Sequence, residues 1–216
     1  MRSSGTLFAN RTAAGRELAK ALNEYRGRDD VIVYALPRGG VPVAFEVATV
    51  LGAPLDVLIV RKLGVPGHPE LAMGAVASGG VRVINDLVVR QLAIPEHDVE
   101  RATQQQRLEV EERERLFRSG HPAPDPAGAI AIVTDDGIAT GSTMRAAIDA
   151  LREMSPARVV VAVPVASPDV CEEFAQIADD VVCLATEQPF GAVGMWYEDF
   201  DQTTDQEVVD LLTRAR

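Results

Sequence analysis

Cysteine is nearly missing from this chain. Cys171 and Cys183 are the only two in 216 residues, and both fall in stretches that read as buried. They offer no disulfide framework, so the fold must rest on its core, and the expected setting is the reducing cytoplasm. Positive charge is also short: the formal net charge is −11. That argues against a broad phosphate-backbone footprint, so no nucleic-acid partner is expected. An anionic ligand would need a local cationic or backbone site. Of the 21 basic residues only Lys20 and Lys62 are lysines. Base composition can produce that bias, yet it draws attention to Lys62. No apolar run approaches the ~20 residues of a membrane span, so no membrane partner is expected. The opening MRSSGTLFAN has no long apolar stretch of the kind a secretory signal needs. His68, His97 and His121 lack metal-ligand spacing. The common glycine-rich nucleotide motifs and the G-x-S-x-G nucleophile motif are absent, and no internal repeat is found.

What is present is a full complement of apolar residues, 47% against 25% charged, enough for one α/β domain over 1–216. Asn10 can cap a helix over 10–26, with Ala14, Leu18, Ala21, Leu22 and Tyr25 at helical spacing. Strands are predicted at 31–36, 55–62, 129–135, 158–166 and 180–186. Helices are predicted at about 41–51, from the 140s to Met154, at 168–177 and at the C-terminus, where Thr204 and Glu207 form a capping-box pattern. Continuous apolar strands alternating with helices predict an open, mostly parallel twisted sheet flanked by helices. Residues 63–80 are rich in Gly and Pro and read as a mobile loop, and 74–84 as a hairpin. A polar helical insertion occupies about 87–120. It places Glu109/Arg113, Glu111/Arg115 and Glu114/Arg118 at i,i+4. Its apolar stripe is thin (Val99, Ala102, Val110, Phe117), which suits a solvated helix or an arm for a second subunit.

The most informative stretch is VTDDGIATGST at 133–143. Two acids end a buried strand, and small hydroxyl-bearing residues then lead into a helix. Ligands bind beyond the carboxyl ends of parallel strands, and a helix N-terminus with free N–H groups attracts anions. Gly141 would let the backbone approach a phosphate, while Thr140, Ser142 and Thr143 add donors. Asp135 and Asp136 could hold hydroxyl groups. A ligand carrying both is a ribose 5-phosphate, although an Asp/Gly turn followed by a Thr/Ser helix cap fits the loop as well.

The spacing in IVTDDGIATGST resembles the phosphoribosyl pyrophosphate (PRPP) motif of type I phosphoribosyltransferases. Leu36-Pro37-Arg38-Gly39-Gly40 is similar to that family's pyrophosphate loop, Arg61-Lys62 to its Arg-Lys signature, and 63–80 to its catalytic loop. The tail 187–216 is similar to its small hood followed by the C-terminal helix. The resemblance implies the family fold and transfer of the 5-phosphoribosyl group from PRPP to a nucleobase-like nitrogen. Magnesium, carried in by PRPP, is the implied cofactor, and a homodimer the implied assembly.

The residue roles follow from the same resemblance. Asp135 and Asp136 would hold the ribose, and Ala139, Thr140, Gly141, Ser142 and Thr143 the 5-phosphate. Arg38, Gly39 and Lys62 would face pyrophosphate, with Lys62 also serving catalysis. Val193, Trp196 and Glu198 would form the hood, Glu198 standing where the family has a metal-facing acid. Glu70 is a candidate general acid or base. Two departures matter. Ala139 replaces an aspartate of the oxopurine enzymes, which argues against an unmodified hypoxanthine or guanine mechanism. The hood run is one residue longer than theirs. A non-catalytic PRPP or nucleotide sensor on the same fold is the alternative.

Overall fold

Uninterrupted β-branched runs make strands that bury both faces, and here they assemble the centre of the molecule. The computed structural model describes residues 6–186 and 188–216; the first five residues and Glu187, the first of the expected hood, lie outside that range. In chain order come α1 (Arg11–Ala21), β1 (Val31–Ala35), α2 (Gly40–Leu51), β2 (Leu55–Val57), β3 (Val60–Val65), β4 (His68–Ala77) and β5 (Arg82–Ile84). Then follow α3 (Asp86–Gln91), α4 (Glu96–Arg118), β6 (Ile130–Thr134), α5 (Ser142–Glu153), β7 (Arg158–Val165), α6 (Pro168–Phe174), β8 (Asp180–Ala185) and α7 (Asp205–Arg214). A five-stranded parallel sheet has the order β2-β1-β6-β7-β8. Alternate strand residues enter two separate cores. Val33, Ile132 and Val160 meet α1, α2 and α7 on one face, while Tyr34, Val133 and Val161 meet α5 and α6 on the other. The parallel sheet covered on both faces is therefore the observed fold. Asn10 caps α1 by accepting from the Ala13 N–H, and the Thr204–Glu207 capping box is formed.

The predicted strand 55–62 is two strands in two sheets. After β2 the chain leaves the parallel sheet at Leu58-Ile59. Buried Ser78 fixes the departure, since Ile59 N–H donates to its Oγ and Ser78 N–H donates to the Ile59 carbonyl, both at 2.9 Å. β3 then pairs with β4, and β4 with β5, in a three-stranded antiparallel sheet. Residues 63–80 are thus not an irregular loop. Most of the segment is a hairpin turning at Pro66-Gly67, with Leu63, Met73 and Val76 buried at its base. The expected 74–84 hairpin corresponds to β4–β5.

The helical insertion breaks at 92–95, before Pro95, into α3 and α4. The stripe of α4 buries Val99, Thr103, Val110 and Phe117 against β3, β4 and α7 of its own chain. That stripe makes α4 an internal brace, so the helix is not solvated all round, while its outer face stays exposed, Leu108 and Leu116 included. Of the three i,i+4 pairs only Glu114–Arg118 forms, at 2.6 Å. Glu109 lies beside Arg61, Arg113 pairs with Asp205, and Arg115 donates to the Glu111 carbonyl.

Candidate active site

The chain runs outward in opposite directions from β1 and from β6, so the sheet's topological switch lies between these two strands. Their carboxyl ends are adjacent, with the Leu36 N–H donating to the Thr134 carbonyl at 2.9 Å. An open crevice at this point is where such sheets bind ligands. Two loops leave it, 36–39 into α2 and 135–141 into α5. They touch through glycine. A Cβ on Gly39 would lie 2.1 Å from Asp136 Oδ2, and one on Gly40 would lie 2.8 Å from the Thr134 carbonyl oxygen. The first loop can therefore lie on the acidic pair only because both positions lack side chains. The Pro37–Arg38 peptide just before these glycines is cis.

Asp135 and Asp136 are half-buried and differently held. Asp135 Oδ1 accepts the Asp136 N–H at 2.8 Å. Asp136 Oδ2 accepts from Arg11 Nε at 2.8 Å, and the two side chains are 14% and 12% exposed respectively. Burial pushes the Asp135 carboxyl well above the usual carboxylate range, and the neighbouring Asp136 charge adds to this. Burial also raises Asp136, with the Arg11 hydrogen bond opposing it. Asp135 Oδ2 and Asp136 Oδ1 have no hydrogen-bond partner among the described residues and can accept from a ligand. Arg11 also donates to the Asp201 carbonyl at 2.7 Å and lies 3.8 Å over the Phe200 ring. It ties the acidic pair to the tail. Sequence reasoning missed Arg11, although a signal existed: a cation in the first turn of α1, with no acid there, opposes the helix dipole.

Past the acids, six successive N–H groups from Ala139 to Met144 have no protein acceptor among the described residues; the next bond is Arg145 N–H to the Gly141 carbonyl, 2.8 Å. Gly141 adopts φ 73° at the cap of α5, packed under Phe174. Ala139, Thr140, Ser142 and Thr143 are exposed. Free N–H groups at the start of a twelve-residue helix carry the positive end of its dipole, at the position the sequence suggested. Lys62, from β3, reaches this loop, with Nζ donating to Ser142 Oγ at 3.3 Å. Arg38 lies 3.5 Å from Asp205 at the start of α7.

The hood has two chain segments, only one of which was read from the sequence. Leu7 and Phe8 N–H donate to the Trp196 carbonyl, and Glu198 N–H donates to the Phe8 carbonyl. Trp196 stacks on Phe190 at 5.7 Å and donates to its carbonyl. Val193 comes down on Gly137, where a Cβ would lie 2.6 Å from its methyl group. Buried Tyr197 donates to the Asp136 carbonyl at 2.5 Å. Its neighbour Glu198 is exposed, within 3.4 Å of the Thr6 hydroxyl. Glu70 stands near the tip of the β3–β4 hairpin, its side chain 74% exposed and 3.4 Å from His68. Neither acid joins the Asp135–Asp136 pair in this conformation. Among the described residues no group of three or more His, Cys, Asp or Glu side chains is arranged to hold a metal.

The arrangement sets a run of free N–H groups beside two carboxylates, and comparison with known proteins gives the family in which it occurs. The family model for the phosphoribosyl transferase domain matches residues 67–197. The chain is 42% identical to TT1426 from Thermus thermophilus, whose crystal structure superposes with a TM-score of 0.87 over 96% of this chain and 98% of that one. It is also 50% identical over 209 residues to Mycobacterium tuberculosis Rv0571c, whose name places it among phosphoribosyl transferases, and equally so to its counterpart MT0597 from a second strain. Those alignments take in 97% of this chain and 47% of each relative, so the chain spans about half the length of these curated relatives. The chain belongs to the phosphoribosyl transferase domain family.

Proposed function

We propose that the chain transfers the 5-phosphoribosyl group of PRPP to a nitrogen of a nucleobase-like acceptor and releases pyrophosphate. The observation that carries this is the unbonded N–H run from Ala139 to Met144 beside two carboxylates with free oxygens. The 5-phosphate would sit on the N–H run, and the ribose 2- and 3-hydroxyls would donate to Asp135 Oδ2 and Asp136 Oδ1. So held, the C1–O bond breaks with its electron pair leaving on pyrophosphate, and the acceptor nitrogen's lone pair forms the C1–N bond. The nitrogen then gives up its proton to water or to the departing pyrophosphate. Glu70 could take it only if the hairpin folded over the site. The chain's part is positioning, and stabilising positive charge on the ribose with the acidic pair. Magnesium arriving on PRPP suits this donor set, since it favours carboxylate and phosphate oxygens and keeps several waters; it would neutralise pyrophosphate as it leaves. Val193, Phe190 and Trp196 offer the acceptor an apolar and aromatic surface.

Titration of the protein with PRPP and Mg²⁺, and a panel of purine and pyrimidine bases scored for pyrophosphate release, test the reading. Hydrogen bonds to a charged group contribute roughly 1.5–3 kcal/mol each. The Asp135→Asn, Asp136→Asn double variant should therefore lose on the order of 10²-fold or more in PRPP affinity, at ~1.4 kcal/mol per tenfold. Unchanged affinity in a folded double variant would overturn the ribose role. PRPP binding without pyrophosphate release for any base would favour a sensor.

A further inference from the structure

We propose that helix α4 supplies an arginine to the pyrophosphate end of the site, so that Arg38, Arg61 and Arg113 form a three-guanidinium cradle for a diphosphate. This rests on the phosphoribosyl transfer reading and adds to it a residue from the helical insertion.

A cavity of about 350 Å³ opens between the loop after β1, the start of β3 and α4. Arg38, Arg61 and Arg113 line it, Thr143 of the phosphate loop closes one end, and no acidic residue is in its wall. Three arginines lining one cavity in a chain of net charge −11 offer the local cationic site that an anionic ligand would require. Their positions are set from outside the cavity. Asp205 Oδ1 lies 2.9 Å from Arg113 and 3.5 Å from Arg38, so one carboxylate at the start of α7 holds both guanidiniums. Arg61 Nε is buried and has no hydrogen-bond partner among the described residues. Its neighbour Glu109, on α4, is 3.5 Å away and poorly aligned for a bond. Glu109 therefore does not fix the Arg61 side chain, which is 39% exposed and can turn its guanidinium to an anion in the cavity it lines.

The chemistry fits a diphosphate. Guanidinium forks bind phosphate oxygens in pairs, and two linked phosphates present enough oxygens for several forks. Thr143 belongs both to the cavity and to the N–H run, so one ligand could place its 5-phosphate on the loop and its diphosphate among the arginines. The insertion would then serve the reaction directly. A helix that uses Arg113 only to hold α7, through Asp205 and over the Phe117 ring at 5.7 Å, is the competing account.

Calorimetric titrations with inorganic pyrophosphate, PRPP and ribose 5-phosphate, each with Mg²⁺, separate the two accounts when wild type is compared with Arg113→Ala and Arg113→Lys. Arg113→Ala should weaken pyrophosphate and PRPP by ~10- to 10²-fold, the loss of one charge-assisted contact. Ribose 5-phosphate, which lacks the diphosphate, should bind as before. Arg113→Lys keeps the charge but loses the fork, so it should weaken pyrophosphate several-fold with an unchanged melting temperature. It decides the matter if the alanine variant does not fold. Unchanged pyrophosphate affinity in a folded Arg113→Ala protein, or in Arg113→Lys should alanine not fold, would overturn the cradle. So would an equal loss for all three ligands. Failure of the wild type to bind PRPP or ribose 5-phosphate would instead remove the proposed function; pyrophosphate binding that depends on Arg113 would still support the cradle.

Discussion

The two sheets hold their parts of the site in different ways. The parallel sheet buries every residue of β1 and β6, and at their ends the acids are fixed by Arg11, by Tyr197 and by close-packed Gly39 and Gly40. The antiparallel sheet has a buried base, but its tip exposes Leu71 at 44%. It depends on α4 for bracing: Arg107 donates to the Gly80 carbonyl, the Gly79 N–H donates to Glu114, and Arg82 pairs with Glu100. Exposed pairs of this kind contribute little each. The comparison teaches that the acidic pair and the N–H run are set by the core, while the strand carrying Arg61 and Lys62 belongs to the part of the fold with fewer buried anchors.

Breaking the buried pair on the rigid side should have the largest effect. Arg11→Ala leaves Asp136 uncompensated and frees the tail, at a cost of ~3–5 kcal/mol, the range for losing one partner of a buried ion pair. At ~2–4 °C per kcal/mol for a domain of this size, calorimetry should show Tm falling by at least ~6 °C. A melt within a degree of wild type would mean that the pair does not join the tail to the acids.

Glycine substitutions compare the two regions directly. A methyl on Gly40 meets the Thr134 carbonyl at 2.8 Å and Asp135 Cα at 2.9 Å, both backbone atoms. Gly40→Ala should therefore cost ~1–3 kcal/mol by overpacking and also weaken PRPP binding. Gly67, at the hairpin turn with φ 80°, has nothing within 4 Å of a new methyl. Gly67→Ala should cost only the ~1–2 kcal/mol of a left-handed residue and leave PRPP affinity unchanged. Denaturant melts with parallel titrations would show it; equal losses of affinity would erase the distinction between the regions.

The smallest effect has a sign that separates stability from function. The folded Asp135 carboxyl titrates above its ordinary value because it is buried beside another acid. Its destabilisation is absent at pH values where it is protonated in both folded and unfolded chains. It grows as pH rises through the ordinary carboxylate range toward the raised folded value, and is complete above that. Asp135→Asn should therefore match wild type in acid and exceed it at pH 8, by an amount on the order of 1 kcal/mol, while binding PRPP more weakly. Equal stability at both pH values would mean that burial does not disfavour this charge.

Much of this was legible because its causes are local. Apolar runs broken by caps and glycines determined the helices and parallel strands, and a strand–acid–acid–small-residue–helix order determined that two acids stand beside a run of free N–H groups. Three features depended on partners far away in sequence. Residues Val57 to Val60 are an unbroken apolar run, so nothing in the periodicity marks the change of sheet at Leu58-Ile59, which Ser78 fixes from 19 residues on. Glu109 and Arg113 have ideal spacing for each other, yet tertiary contacts drew them to Arg61 and Asp205. Arg11 stands 125 residues from Asp136, and only the fold brings them together. By itself the sequence determined the parallel sheet, the phosphate loop and the acidic pair, because short-range pattern and chain geometry suffice for these. Which acids Arg11, Arg61 and Arg113 meet was decided by the tertiary structure, because a long charged side chain takes whichever partner the packed elements bring within reach.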